Sequence, residues 1–131
     1  MSDTSPISEF KSKSGIKRII GAIGYSIEGF KTAWKMEHAF RQELALMVIA
    51  TVVALLLPVS ALHKLLLIAV FVLVLVVELL NSAIEAVVDR VSLERNPLSK
   101  NAKDLGSAAV FLSLSLAAAT WGVIVWPLVW R

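Results

Sequence analysis

Residues 65–90 read LLLIAVFVLVLVVELLNSAIEAVVDR. Thirteen apolar residues, Leu65 to Val77, are followed by Glu78, Asn81, Ser82, Glu85 and Asp89 at steps of 3, 1, 3 and 4. At about 100° per residue these five side chains fall within an arc of about 100°, and the three acids within about 40°. The stretch is therefore a helix with one polar stripe on an otherwise apolar surface. Crossing the hydrocarbon core takes about 20 apolar residues. A span that ended before Glu78 would be too short; one that continues, with its polar stripe turned to a protein interior, is long enough.

Two further spans flank it. Leu44 to Leu62 is 19 residues without a charge, and Leu105 to Trp130 is 26. The chain has 131 residues, 57% hydrophobic and 18% charged, against roughly 45–50% and about 25% in ordinary soluble domains. The expectation is an all-α membrane protein with spans over about 40–62, 65–90 and 103–130. A single membrane domain over 15–131 leaves no room for a second. Cys is absent, which excludes disulfides, zinc-thiolate sites and iron–sulfur clusters. Only His38 and His63 are present, so one chain cannot build a three-His metal site. No cleavable signal peptide is expected, because the first span starts beyond residue 40 after a charged segment.

Lys and Arg set the orientation. Residues 1–43 hold seven: Lys11, Lys13, Lys17, Arg18, Lys31, Lys35 and Arg41. Lys64 is the single one between the first two spans, whereas Arg90, Arg95, Lys100 and Lys103 lie between the last two. The N-terminus and the second connection are expected in the cytoplasm, and the C-terminus outside. Trp121, Trp126 and Trp130 crowd the outer end of the third span, as an interfacial aromatic belt would.

Residues 1–14 are polar and aperiodic, and are expected to be a flexible cytoplasmic tail. From Ile16 the pattern changes. Ile16, Ile19, Ile20, Ile23, Ile27, Phe30 and Trp34 form one helical face, with Lys17, Arg18, Glu28, Lys31 and Lys35 largely off it. A basic amphipathic helix over about 16–36, just before a span, is expected to lie among lipid headgroups. A cap packed on the bundle is the plainer alternative, and nucleic-acid binding is a distant third reading.

The stripe on the second span is where chemistry is expected. An acidic residue at the membrane centre carries a penalty of about 2.5–3.5 kcal/mol on insertion scales. Helix–helix sealing, a proton or ion path, or a helix end emerging into water are the competing readings. The last explains Asp89 well and Glu85 in part, but not Glu78 and Asn81. Glu37, Arg41 and Glu43 precede the first span, and Lys103 and Asp104 precede the third. Glu37 and Arg41, four apart, would ordinarily be an exposed ion pair. Asp104 would ordinarily be a favourable charge near a helix N-terminus. Carboxylates from two helices, with Lys103 and Arg18, have the makings of a magnesium and polyphosphate site, since hard oxygen ligands suit Mg2+. No G-x-x-x-x-G-K-[ST], G-x-G-x-x-G or H-E-x-x-H string occurs, so any nucleotide is handled without those motifs.

The run from Glu78 through Asn81, Ser82 and Glu85 to Asp89 resembles the signature of the small prokaryotic diacylglycerol kinases of Gram-negative type, roughly E-x-x-N-[ST]-A-x-E-x-x-x-D. Every polar position is in place. Two flanking strings also match, EHAFRQE at 37–43 and AKDLGSA at 102–108. The resemblance runs from about Arg18 to the end of the third span.

This resemblance implies a homotrimeric kinase of the bacterial inner membrane. It would move the γ-phosphoryl of Mg-ATP to diacylglycerol, giving phosphatidic acid, at sites shared between subunits. It implies Glu78 as general base on the lipid hydroxyl, with Asn81 orienting Glu78 or the γ-phosphate. It implies Glu37 and Glu85 as Mg2+ ligands. Lys103 would neutralise phosphate charge. Asp89, Asp104, Tyr25 and the stretch Glu94, Arg95, Asn96 would hold the nucleotide. Arg18, Trp34, Arg41 and Ser107 would line the lipid path or phosphate pocket. Gram-positive relatives with the same central signature phosphorylate undecaprenol, which makes undecaprenol kinase the runner-up. A small proton- or ion-conducting bundle is the alternative from another class.

Overall fold

The computed structural model describes residues 15–130; the tail expected over 1–14, and Arg131, lie outside the described residues. Four helices, α1 to α4, make up all the regular structure of the described residues. They divide into an N-terminal unit ending at Met36 and a second unit from Glu37 onward.

Helix α1 runs Gly15–Met36. Its expected apolar face, Ile16 through Trp34, is exposed along its whole length. On the polar side Lys31 pairs with Glu28 at 3.5 Å.

The second unit contains α2 (His38–Leu56), α3 (Ala61–Val91) and α4 (Pro97–Val129), each long and apolar enough to cross a membrane. Helix α2 ends six residues before the expected end of the first span. Pro58 lacks an N–H and disfavours helical backbone at the residue before it; Leu57 is extended, with φ −71° and ψ 143°. The last turn of α2 is closed from outside, because Lys64 donates to the Leu55 carbonyl at 2.9 Å. Ser60 then caps α3, its hydroxyl oxygen accepting from the His63 N–H at 3.2 Å.

Helix α4 begins earlier than expected. Asn96 Oδ1 accepts from the Leu98 N–H at 2.9 Å, and Pro97 occupies the first helical position, where its missing N–H does no harm. With 31 and 33 residues, α3 and α4 are about 46 and 50 Å long, against a hydrocarbon core of about 30 Å. Both are therefore long enough to cross the core with length to spare, through tilt or through ends that extend beyond it.

Helix α3 packs against both α2 and α4. Val70 and Val74 of α3 meet Ala117 of α4, with Phe71 and Trp121 packed around them. Trp121 departs from the expected belt. Its Nε1–H donates to the Leu67 carbonyl at 3.0 Å, and its ring meets Phe71 edge-on at 5.9 Å. An indole N–H facing a neighbouring helix finds its acceptor there rather than in a headgroup. Trp126 and Trp130 stay exposed, their rings 5.5 Å apart.

Candidate active site

The stripe of α3 meets two different surroundings along its length. At its deep end Glu78 is 7% exposed, the buried carboxylate of a helix whose other buried residues are apolar. It feels the charges of Glu43, then Glu37, then Glu85. Glu37 just before α2, Glu43 within it and two acids of α3 thus share one region. The other three act electrostatically on Glu78, yet no three His, Asp or Glu among the described residues converge into a ready-made metal cage.

Glu37 reaches this region by an unexpected route. It is not in the helix: its φ of −119° and ψ of 106° are extended, it occupies the cap position of α2, and its carboxylate makes no capping bond. The ordinary ion pair with Arg41 is not the contact Arg41 makes. The Arg41 guanidinium bonds His38 Nδ1 at 2.7 Å, which a helical i,i+3 spacing allows. The Glu37 carboxylate is left to the acidic cluster.

One level outward, Asn81 Nδ2 donates to Glu85 Oε1 at 3.3 Å. Asn81 is therefore tied to Glu85. Two buried side-chain oxygens among the described residues, Glu43 Oε2 and Asn81 Oδ1, have no hydrogen-bond partner. Such atoms are rare in folded proteins, and each calls for a donor or a cation.

At the outer end Lys103 of α4 bridges to Asp89 at 2.8 Å and also feels Glu85. Both side chains of the bridge are about half exposed, at 46% and 49%. This pair ties α3 to α4 above the cluster and opens onto a cleft of about 700 Å³ at the α3–α4 turn. Ligand pockets run from about 300 to 1,000 Å³. Asp89, Glu94, Arg95, Asn96, Lys103 and Asp104 all line it.

Besides the bridged pair, two more of these six have structural duties. Asn96 spends its Oδ1 on the α4 cap. Asp104 accepts from Lys100 at 2.5 Å. Because α4 starts at Pro97, Asp104 sits in the third turn, too far along for the helix-terminus effect that its position before the expected span suggested. Ser107 is exposed on α4. Arg18, Tyr25 and Trp34 belong to α1, in the separate N-terminal unit.

The sequence pattern of prokaryotic diacylglycerol kinase matches residues 24–125. The chain belongs to the prokaryotic diacylglycerol kinase family. The diacylglycerol kinase of Pseudomonas aeruginosa is 58% identical over 118 residues, covering 90% of this chain and 96% of its own. That of Escherichia coli K12 is 50% identical over 113 residues, covering 86% and 93%. That of Haemophilus influenzae is 42% identical over 112, covering 86% and 95%. Within this kinase family the resemblance read from 78–89 covers the α3 stripe.

Two residues of the region carry no sequence signal that points to their place in it. Glu43 stands in the sequence as one more charge near the first span, yet of the neighbouring charges it acts most strongly on Glu78. Helical spacing from Glu37 misplaces it, because Glu37 is not helical. Gly106, within the 102–108 string, has no side chain, and a Cβ there would meet the Asn81 carboxamide.

Proposed function

We propose that the protein transfers the γ-phosphoryl group of ATP to the free hydroxyl of diacylglycerol, forming phosphatidic acid and ADP. The observation that carries the reading is the position of Glu78. It is buried, feels the charge of three other carboxylates, and lies on one stripe with Asp89, whose bridge to Lys103 faces a nucleotide-sized cleft. Glu78 is 17 residues beyond the first residue of α3, about 26 Å along the helix and still within the roughly 30 Å core. A hydroxyl attached to two acyl chains reaches that depth at little cost. The triphosphate of ATP stays in the aqueous cleft.

In this reading Glu78 takes the hydroxyl proton as the lipid oxygen attacks the γ-phosphorus. The bond from that phosphorus to the β–γ bridging oxygen breaks, and ADP leaves. Asn81, bonded to Glu85, orients Glu78 or the γ-phosphate. Lys103 meets phosphate charge as it develops, and Asp89 holds Lys103 in place until then. Asp104, Glu94, Arg95 and the amide nitrogen of Asn96 hold the nucleotide, with Arg18 and Tyr25 from α1; Trp34, Arg41 and Ser107 serve the lipid path.

The residues suit Mg2+. Glu37 and Glu85 supply hard oxygens, and one or two carboxylates suffice when phosphates and water complete the shell. An orphaned carboxylate oxygen on Glu43, in a region rich in negative charge, also favours a cation. Bound there, the ion would offset charge between the phosphates.

We place the chain in the bacterial inner membrane with the N-terminus and the α3–α4 turn in the cytoplasm, on the distribution of Lys and Arg. We further propose a homotrimer. Most of the surface of all three spans is exposed in the single chain, and a cleft walled only by the ends of α3 and α4 gains its remaining wall from a neighbour.

Transfer of labelled phosphate from ATP to mixed micelles holding diacylglycerol and undecaprenol tests the reading. Label in phosphatidic acid is expected. Label in undecaprenyl phosphate alone would move the assignment to undecaprenol, and an unlabelled lipid pool would overturn the kinase reading, leaving the acidic stripe as an ion path.

A further inference from the structure

Gly106 is buried in α4 directly against Asn81 of α3. A Cβ added at Gly106 would collide with Asn81 Oδ1 and lie 3.2 Å from its Cγ, but it would be an ordinary 3.8 Å from its Cβ. The conflict is thus with the carboxamide alone. The same oxygen is buried without a conventional donor, and the other end of the amide is bonded to Glu85. At Gly106 a hydrogen stands where other residues carry Cβ, and this C–H faces the oxygen as a weak donor.

We infer that Gly106 is a positioning residue for phosphoryl transfer, holding the Asn81 carboxamide in the orientation that presents it to Glu85. The inference rests on the proposed roles of Asn81 and Glu85. Turning the Asn81 amide over places its nitrogen in the same conflict. Swinging it to another rotamer takes it away from Glu85. Backing α4 away strains the Lys103–Asp89 bridge, which joins the same two helices one turn earlier in α4. One extra carbon therefore has no harmless place to go.

The test combines Gly106→Ala with Asn81→Ala in full-length protein. Gly106→Ala alone should lower the midpoint of unfolding. It should also cut turnover or raise the magnesium requirement by about 10–100-fold, the usual effect of losing an outer partner of a metal ligand. In the Asn81→Ala background, where only the Cβ contact at 3.8 Å remains, Gly106→Ala should leave the unfolding midpoint unchanged or raise it, since Ala favours a helix interior over Gly. If Gly106→Ala does not fold, the double variant should. Equal destabilisation in both backgrounds, or a double variant that also fails to fold, would make Gly106 a general packing residue and sink the inference. A destabilised Gly106→Ala protein with normal turnover and magnesium requirement would sink it as well. Wild-type protein that phosphorylates no lipid would instead remove the proposed function, and the unfolding measurements would still decide whether Gly106 holds Asn81.

Discussion

Replacing Glu78 by Gln separates catalysis from stability, with effects of opposite sign. Gln keeps the size and hydrogen-bonding capacity of Glu and loses the ability to take a proton. General-base catalysis contributes about 10²–10⁴-fold, or roughly 3–5 kcal/mol of barrier. Turnover should fall by that order, while nucleotide affinity stays close to normal, because the aqueous cleft is lined by residues 88–104 and not by Glu78. Stability should move the other way. Glu78 is 7% exposed and repelled by Glu43, Glu37 and Glu85. Its depth of about 26 Å along α3 leaves it near the far edge of the core, so the penalty for its charge is below the roughly 2.5–3.5 kcal/mol of the membrane centre. Removing that charge should stabilise the fold by on the order of 1 kcal/mol. Turnover in diacylglycerol micelles, calorimetric ATP binding and detergent-induced unfolding measure the three quantities. A folded Glu78→Gln protein with near-normal turnover would refute the base assignment, since a carboxyl that only hydrogen-bonds a neighbouring helix is well replaced by Gln.

Glu85→Gln should retain the fold, sharply lower turnover and raise the magnesium requirement; an unchanged magnesium titration for it and for Glu37→Gln would remove both from the metal shell. Lys103→Ala should cost about 1 kcal/mol or less in stability, because its bridge is half exposed, yet lower turnover by far more than that loss implies. Mixing Lys103→Ala with Glu78→Gln should restore activity after subunit exchange, and exchange without recovery would argue that each chain holds a complete site. Trp121→Phe should lower stability by about 1 kcal/mol through loss of the bond to Leu67, with turnover unchanged. A reporter fused after Arg131 should be active only outside the cytoplasm, and cytoplasmic activity would reverse the topology.

The sequence by itself determined the class of the protein and the helix face on which its polar stripe lies. Spans betray themselves through length and lack of charge, and a polar stripe through a local period of 3.6 residues. Glu78, Asn81, Glu85 and Asp89 could therefore be placed on one face of one helix before any contact was known. The signals at the helix ends were also local: Pro58, Ser60 and the Asn96–Pro97 pair carry stop and start chemistry, but in a continuously apolar context hydropathy masked the first break and the uncharged run after Asp104 hid the true start of α4.

Tertiary structure decided the rest. By sequence Trp121 is one of three tryptophans near the outer end of its span, and only the proximity of α3 reveals its acceptor on Leu67, 54 residues away. Glu43 became a neighbour of Glu78 because α2 packs on α3, and Glu37 because the chain is extended before α2 begins. Gly106 has no side chain to signal a role; what matters is the space it leaves, which exists only once α4 lies against Asn81. Periodicity reports which residues share a face of one helix. Which faces meet, and at what height, depends on packing between segments far apart in the chain.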